Sequence, residues 1–167
     1  DPYLASDMAE YVLAHILGYL KQVHIYKENQ LQGLWSPAPY RRMAEVTVGI
    51  MGLGKLGMAV AGLLKANGFS LAGWTRSSLP SVDFPVYRGE AERHAFLSES
   101  DILVCLLPLT PETRGFLNLD LFRALPEKAF LINVARGPLL VDEDLLKALE
   151  DGRLSGACLD VFHQEPL

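Results

Sequence analysis

Basic charge is the first thing this sequence is short of. Its 167 residues carry 15 Lys and Arg against 20 Asp and Glu, a formal net charge of −5. General nucleic-acid binding needs a basic face and is not expected. Long apolar runs are also missing, and none reaches the roughly 18 residues of a membrane span. The nearest, VLAHILGYL, is interrupted by His15 and lies in an amphipathic pattern. The opening DPYLASDMAEY lacks the basic stretch that starts a signal peptide. Only two cysteines occur, Cys105 and Cys158, each within an apolar run and without CxxC spacing. They are expected to be buried thiols in a reducing cytosol, so the cytoplasm is the expected compartment and no metal site is expected. There is no internal repeat and no low-complexity tract.

What remains is a globular composition, 50% hydrophobic and 21% charged, at a length that suits one continuous core. From Ser6 to about Glu28, apolar residues at helical spacing (Met8, Val12, Leu13, Ile16, Leu17, Leu20, Val23) predict one amphipathic helix capped by Ser6 or Asp7. The following stretch, with Trp35, Pro37, Pro39 and Tyr40, reads as an ordered arm, because aromatics supply contact area that a flexible linker has no use for. Residues 1–41 are therefore read as helix and arm, and 42–167 as the main domain.

Within 42–167 the pattern alternates. Strands are predicted at Val46–Met51, Ser70–Trp74, Val86–Tyr87, in the apolar run 101–107, at 129–134 and at 156–162. Helices are predicted at Lys55–Asn67, Glu90–Leu97, Asp120–Ala124 and over VDEDLLKALEDG, with a further helix start at Thr110, Pro111 and Glu112. The expectation is an α/β fold, a Rossmann-type doubly wound parallel sheet with helices on both faces.

VGIMGLGKLGMAVAGLL holds GxGxxG at Gly52, Gly54 and Gly57, after a strand and at the start of a helix. In that context the glycines form a pyrophosphate-binding turn, with the anion held where Lys55 and Leu56 begin the helix. An acid that binds the adenosine ribose is expected about twenty residues on, at the end of the second strand. Instead the chain reads WTRSS. Thr75, Arg76, Ser77 and Ser78 remove the repulsion a carboxylate would exert on a 2′-phosphate and offer a guanidinium and hydroxyls. NADP(H) is therefore expected in preference to NAD(H), which stays open as the second cofactor.

Three further segments follow strand ends: LPLTPETRG, NVARGPL and LDVFHQEPL. Leu107 and Pro108 suit an apolar wall beside a nicotinamide. Arg136 suits a small carboxylate held by two parallel hydrogen bonds, or a structural ion pair. Asp160 ends the last strand. Glu165, in the loop beyond it, suits a group orienting a catalytic imidazole, or a solvated acid. His163 is the nearest histidine; His15, His24 and His94 fall on predicted helices as surface or packing residues.

Taken together, GLGKLG, LPLTPETRG, NVARG followed by VDEDLL, and LDVFHQEPL resemble the D-isomer-specific 2-hydroxyacid dehydrogenase family in order and spacing. The WSPAPY arm and WTRSS are most similar to its glyoxylate/hydroxypyruvate reductase A branch, which prefers NADPH. The resemblance implies that Arg136 binds the substrate carboxylate and carbonyl oxygen. It implies that Glu165 raises the pKa of the catalytic histidine, and that Asp160 lies near the nicotinamide carboxamide. It implies a small 2-oxo acid as substrate and a homodimer formed through the arm. In the family the catalytic histidine follows Glu165 in a later segment, and a smaller substrate domain is present. The expectation is a cofactor-binding domain that binds ligand without turnover. Two readings stand beside it: an NAD-dependent enzyme of the phosphoglycerate or formate type, and a non-catalytic dinucleotide-sensing corepressor-like protein.

Overall fold

A parallel sheet in the order β3-β2-β1-β4-β5-β6 forms the centre of the computed structural model, which describes residues 2–37, 39–76 and 81–166. The strands are β1 (Thr47–Met51), β2 (Ser70–Thr75), β3 (Val86–Arg88), β4 (Ile102–Cys105), β5 (Ala129–Asn133) and β6 (Leu154–Leu159). The order reverses between β1 and β4, the doubly wound topology expected from the alternating pattern.

Side-chain alternation divides the core into two layers. Val48, Ile50, Ile102, Val104, Phe130 and Ile132 face one side, where they meet helices α1 (Leu4–Leu20) and α3 (Lys55–Ala66). Met51, Leu103, Cys105 and Leu131 face the other, against α4 (Arg93–Ser98), α5 (Leu119–Ala124) and α6 (Asp142–Glu150). Helix α1 enters its layer through Ala9, Val12, Ile16 and Leu20, all buried. Asp142, Glu143 and Asp144 occupy the first turn of α6, where carboxylates complement the helix dipole.

Several expectations need correction. The predicted single helix from Ser6 to Glu28 is two, α1 and α2 (Val23–Leu31). Gln22 breaks it by adopting a left-handed conformation, φ 53°, and its side-chain amide donates to Pro39 O at 2.6 Å. Neither Ser6 nor Asp7 caps α1: the helix begins after Tyr3, and the Ser6 hydroxyl donates to Tyr3 O. Thr110, Pro111 and Glu112 start no helix. The buried Thr113 hydroxyl donates to Pro108 O at 2.7 Å and accepts from Thr110 N–H, which closes a tight turn instead. Only one of the two thiols is fully buried. Cys105 is enclosed, and burial pushes its thiol pKa up to about 12, whereas Cys158 is half-buried.

The described residues of the arm lack regular structure, but the arm is anchored at its return. Arg41 pairs with Asp101 at 2.9 Å, and the same carboxylate accepts from Thr47 N–H at the start of β1. Trp35 is 94% exposed, so the arm carries apolar area that its own chain leaves uncovered.

Candidate functional site

The carboxyl ends of five neighbouring strands, β2, β1, β4, β5 and β6, are tied together by hydrogen bonds that continue past the strands themselves. Gly52 N–H donates to Trp74 O at 2.9 Å and Leu106 N–H to Met51 O at 2.8 Å. Val134 N–H donates to Cys105 O, and Asp160 N–H to Asn133 O at 3.1 Å. This lattice places the glycine turn, the end of β2 and the loops after β4, β5 and β6 along one edge. The crevice at a strand-order reversal is where ligands bind in such sheets.

The glycine turn is built by exclusion. Gly52 has φ +106°, and a Cβ there would lie 2.8 Å from Leu106 O. At Gly57, a Cβ would lie 2.0 Å from Gly52 O, so helix α3 can approach the turn only without a side chain. Gly54 is the N-cap of α3 and meets nothing within 4 Å, which leaves its backbone open to an approaching group. No side chain caps α3 and no acid stands in its first turn. The N–H groups at Lys55 and Leu56 therefore begin the helix without a capping side chain, a suitable setting for an anion.

β2 ends at the buried Thr75, and exposed Arg76 follows. Ser77 and Ser78, expected to share this end, lie outside the described residues. Across the crevice, the carboxyl of Glu112 is held below its usual range by the Thr110 hydroxyl, its own N–H and the positive charge of Arg76. Leu107 is buried and Pro108 exposed where β4 gives way to the turn.

Arg136 follows β5, is exposed, and donates from its guanidinium to Ala135 O at 2.6 Å. No carboxylate pairs with it among the described residues. Gly137 lets this turn touch the last loop, since a Cβ there would lie 2.0 Å from the Phe162 carbonyl. The close approach sets Arg136 beside residues 160–165. Glu165 is exposed and accepts from Phe162 N–H at 2.8 Å. Among the described residues no hydrogen bond or ion pair joins it to Arg136. His163 turns the other way, with Nε2 2.9 Å from Leu140 O and 3.7 Å from Asp142. His15, His24 and His94 lie on α1, α2 and α4, as expected.

Sequence reasoning overlooked Asn133. It is completely buried, its amide oxygen accepts from Ala135 N–H, and its amide nitrogen donates to Arg136 O, both at 3.2 Å. It therefore shapes the turn that presents Arg136. The signal was available: one amide at the end of the otherwise apolar run AFLIN.

Comparison with known proteins agrees with this geometry. Residues 13–167 match the model of the D-isomer specific 2-hydroxyacid dehydrogenase NAD binding domain. A glyoxylate/hydroxypyruvate reductase A from Salmonella paratyphi B is 43% identical over the whole chain, which spans 54% of that relative. The NADPH-dependent glyoxylate/hydroxypyruvate reductase of Sinorhizobium meliloti, solved with NADP and sulfate, superposes with a TM-score of 0.95 at 41% identity, covering 100% of this chain and 54% of that one. A probable 2-hydroxyacid dehydrogenase from Rhizobium etli, solved with NADP, HEPES and tartaric acid, gives the same TM-score at 38% identity, with the same two coverages. The chain thus spans about half the length of the relatives it matches. Its sheet order, glycine turn and family match make it a member of the D-isomer specific 2-hydroxyacid dehydrogenase family, matching that family's NAD-binding domain.

Proposed function

We propose that this chain is the cofactor-binding part of an NADPH-dependent reductase of small 2-oxo acids, of the glyoxylate/hydroxypyruvate type. The observation that carries the cofactor preference is the end of β2, where Arg76 stands exposed beside the glycine turn and no acid stands among residues 75–78. Two solved relatives with the same architecture hold NADP, which supports the reading. The site fits the group: Gly54 leaves open space, Gly52 and Gly57 keep the turn tight, and Lys55 and Leu56 begin an uncapped helix. Leu107 and Pro108 wall the crevice, Thr75 and Arg76 hold the adenosine end together with Ser77 and Ser78, and Asp160 meets the nicotinamide end.

When bound, the dinucleotide supplies a hydride. Arg136 holds the substrate carboxylate and stabilises charge developing on the carbonyl oxygen. Glu165 orients, and keeps charged, the imidazole that gives a proton to that oxygen. The NAD-dependent alternatives are disfavoured by the missing acid after β2. The corepressor-like reading differs in predicting no turnover of a 2-oxo acid by the full-length protein.

Calorimetric titration tests the cofactor assignment. Arg76→Ala is expected to weaken NADPH binding by about 1.5–3 kcal/mol, the size of a hydrogen bond to a charged group, and to leave NADH nearly unchanged. Equal losses for both would refute a 2′-phosphate role.

The same reading includes a homodimer. Helix α2 buries none of its residues, and Val23, Tyr26, Leu31, Leu34, Trp35 and Tyr40 present apolar area on α2 and the arm. Within residues 1–41, α2 and the arm thus serve as the contact segment while α1 packs onto residues 42–167, the dinucleotide-binding domain. Sedimentation at on the order of tens of micromolar should give a dimer, with roughly 2,000 Å² or more buried. A monomer there would count against it. Among the described residues no helix is long and apolar enough to cross a membrane, and the proposed compartment is the cytoplasm.

A further inference from the structure

His163 stands two residues before Glu165, and its ring reaches a turn 23 positions earlier in the chain. Nε2 lies 2.9 Å from Leu140 O. A carbonyl oxygen only accepts, so Nε2 carries the proton and donates, whether the ring is neutral or charged. The acceptor is well fixed. Leu140 is buried and its N–H donates to Gly137 O at 2.9 Å. The residues on either side of it are bridged to Leu117: Leu117 N–H donates to Leu139 O, and Val141 N–H to Leu117 O. The Asp142 carboxylate, in the first turn of α6, lies 3.7 Å from the same imidazole nitrogen.

Two contacts therefore join residues 160–165 to the turn that begins at Arg136. Gly137 meets the Phe162 carbonyl at one end of that turn, and Leu140 O takes the His163 ring at the other. The first contact alone leaves the loop free to pivot, and the second sets its orientation. Glu165 travels with this loop, because its carboxylate accepts from Phe162 N–H at 2.8 Å.

We propose that His163 is a positioning residue: by donating from Nε2 to Leu140 O, it locks the loop that carries Glu165 onto the turn that carries Arg136. The proposal rests on the reading that Arg136 and Glu165 serve the reduction of a 2-oxo acid. It gives the histidine nearest the site a role that involves no contact with substrate. The ring is 46% exposed, so its removal opens no cavity in the core.

The test uses the full-length enzyme carrying this domain, with glyoxylate as substrate, and compares His163→Ala, His163→Asn, His163→Gln and Glu165→Gln. His163→Ala is expected to lower kcat about three- to tenfold, the range of one hydrogen bond, and to change the Kd of NADPH by less than about twofold. His163→Gln sets an amide N–H where Nε2 stood and should recover most of the rate, whereas the shorter His163→Asn should behave like the alanine variant. The imidazole that Glu165 keeps charged gives up a proton, so kcat falls as pH rises through its pKa. A displaced Glu165 raises that pKa less, so His163→Ala should move this alkaline limb to lower pH, as Glu165→Gln does. A limb that stays in place in His163→Ala while Glu165→Gln moves it would overturn the positioning role and leave the site reading intact. Equal rates for the glutamine and alanine variants, or equal losses of kcat and NADPH affinity, would overturn it as well. If Glu165→Gln leaves both kcat and the limb unchanged, the reading of Glu165 falls, and the proposal falls with it.

Discussion

Arg136→Ala in a full-length enzyme carrying this domain should lower kcat for glyoxylate by about 10²–10³, the cost of removing one donor from a developing oxyanion. The expectation rests on the proposed role of Arg136 and on its setting. The guanidinium stands exposed after a buried strand, its only described hydrogen bond goes to the neighbouring Ala135 O, and among the described residues no carboxylate pairs with it. A structural arginine would leave a broken ion pair when removed; this one leaves the fold as it was. Thermal melting should therefore stay within about 0.5 kcal/mol of the parent, as for a surface change away from caps and cores. Arg136→Lys should recover only part of the rate, because an ammonium cannot form two parallel hydrogen bonds with a carboxylate. Near-normal turnover by the alanine variant would remove Arg136 from the chemistry.

The second large effect concerns the glycine turn. Gly57→Val should destabilise this chain by about 3 kcal/mol or more and lower its Tm by roughly 10 °C, with NADPH binding lost. The new Cβ would be placed 2.0 Å from Gly52 O, which is backbone and cannot step aside as a flexible side chain would. Either α3 moves away from β1 or the turn opens, and both displace the N–H groups at Lys55 and Leu56. Gly62 supplies the control on the same helix. A Cβ there meets nothing within 4 Å. Gly62→Ala should add about 0.5–1 kcal/mol through helix propensity alone and leave NADPH binding unchanged. If Gly57→Val binds NADPH like the parent, the turn is not the pyrophosphate site.

Much of this architecture could be read before any coordinates. The apolar runs around 101–107 and 129–134 became β4 and β5, enclosed on both faces, because only a doubly covered parallel strand carries such a run. The absence of an acid after β2 was a matter of composition at a counted position. Other features depend on geometry that spacing does not encode. Gln22 is not a glycine, so its left-handed backbone, and the helix break it makes, leave no mark in the periodicity of residues 6–28. The Thr110–Glu112 segment has the residue types of a helix start, and the outcome turned on where the Thr113 hydroxyl bonds. Arg136 and Glu165 are distant in the chain, and what brings their loops together is a missing side chain, that of Gly137, against Phe162. Asn133 acts through its neighbours, so it forms part of no recognisable motif.

The packing of α1 also bears on the order in which the chain can assemble. Tyr19 stacks on Phe130, ring centroids 4.1 Å apart, and its hydroxyl lies 2.8 Å from that of Ser155, a residue 136 positions further along. Helix α1 thus finds both partners only when β6 has been made. Its apolar stripe of Ala9, Val12, Ile16 and Leu20 packs in a layer with α3 and the central strands, which come earlier in the chain than β6. Loop-closure entropy must be met before such non-local contacts return anything, which slows folding relative to a helical bundle of equal length. Helix α1 therefore completes its set of contacts only when β6 is in place.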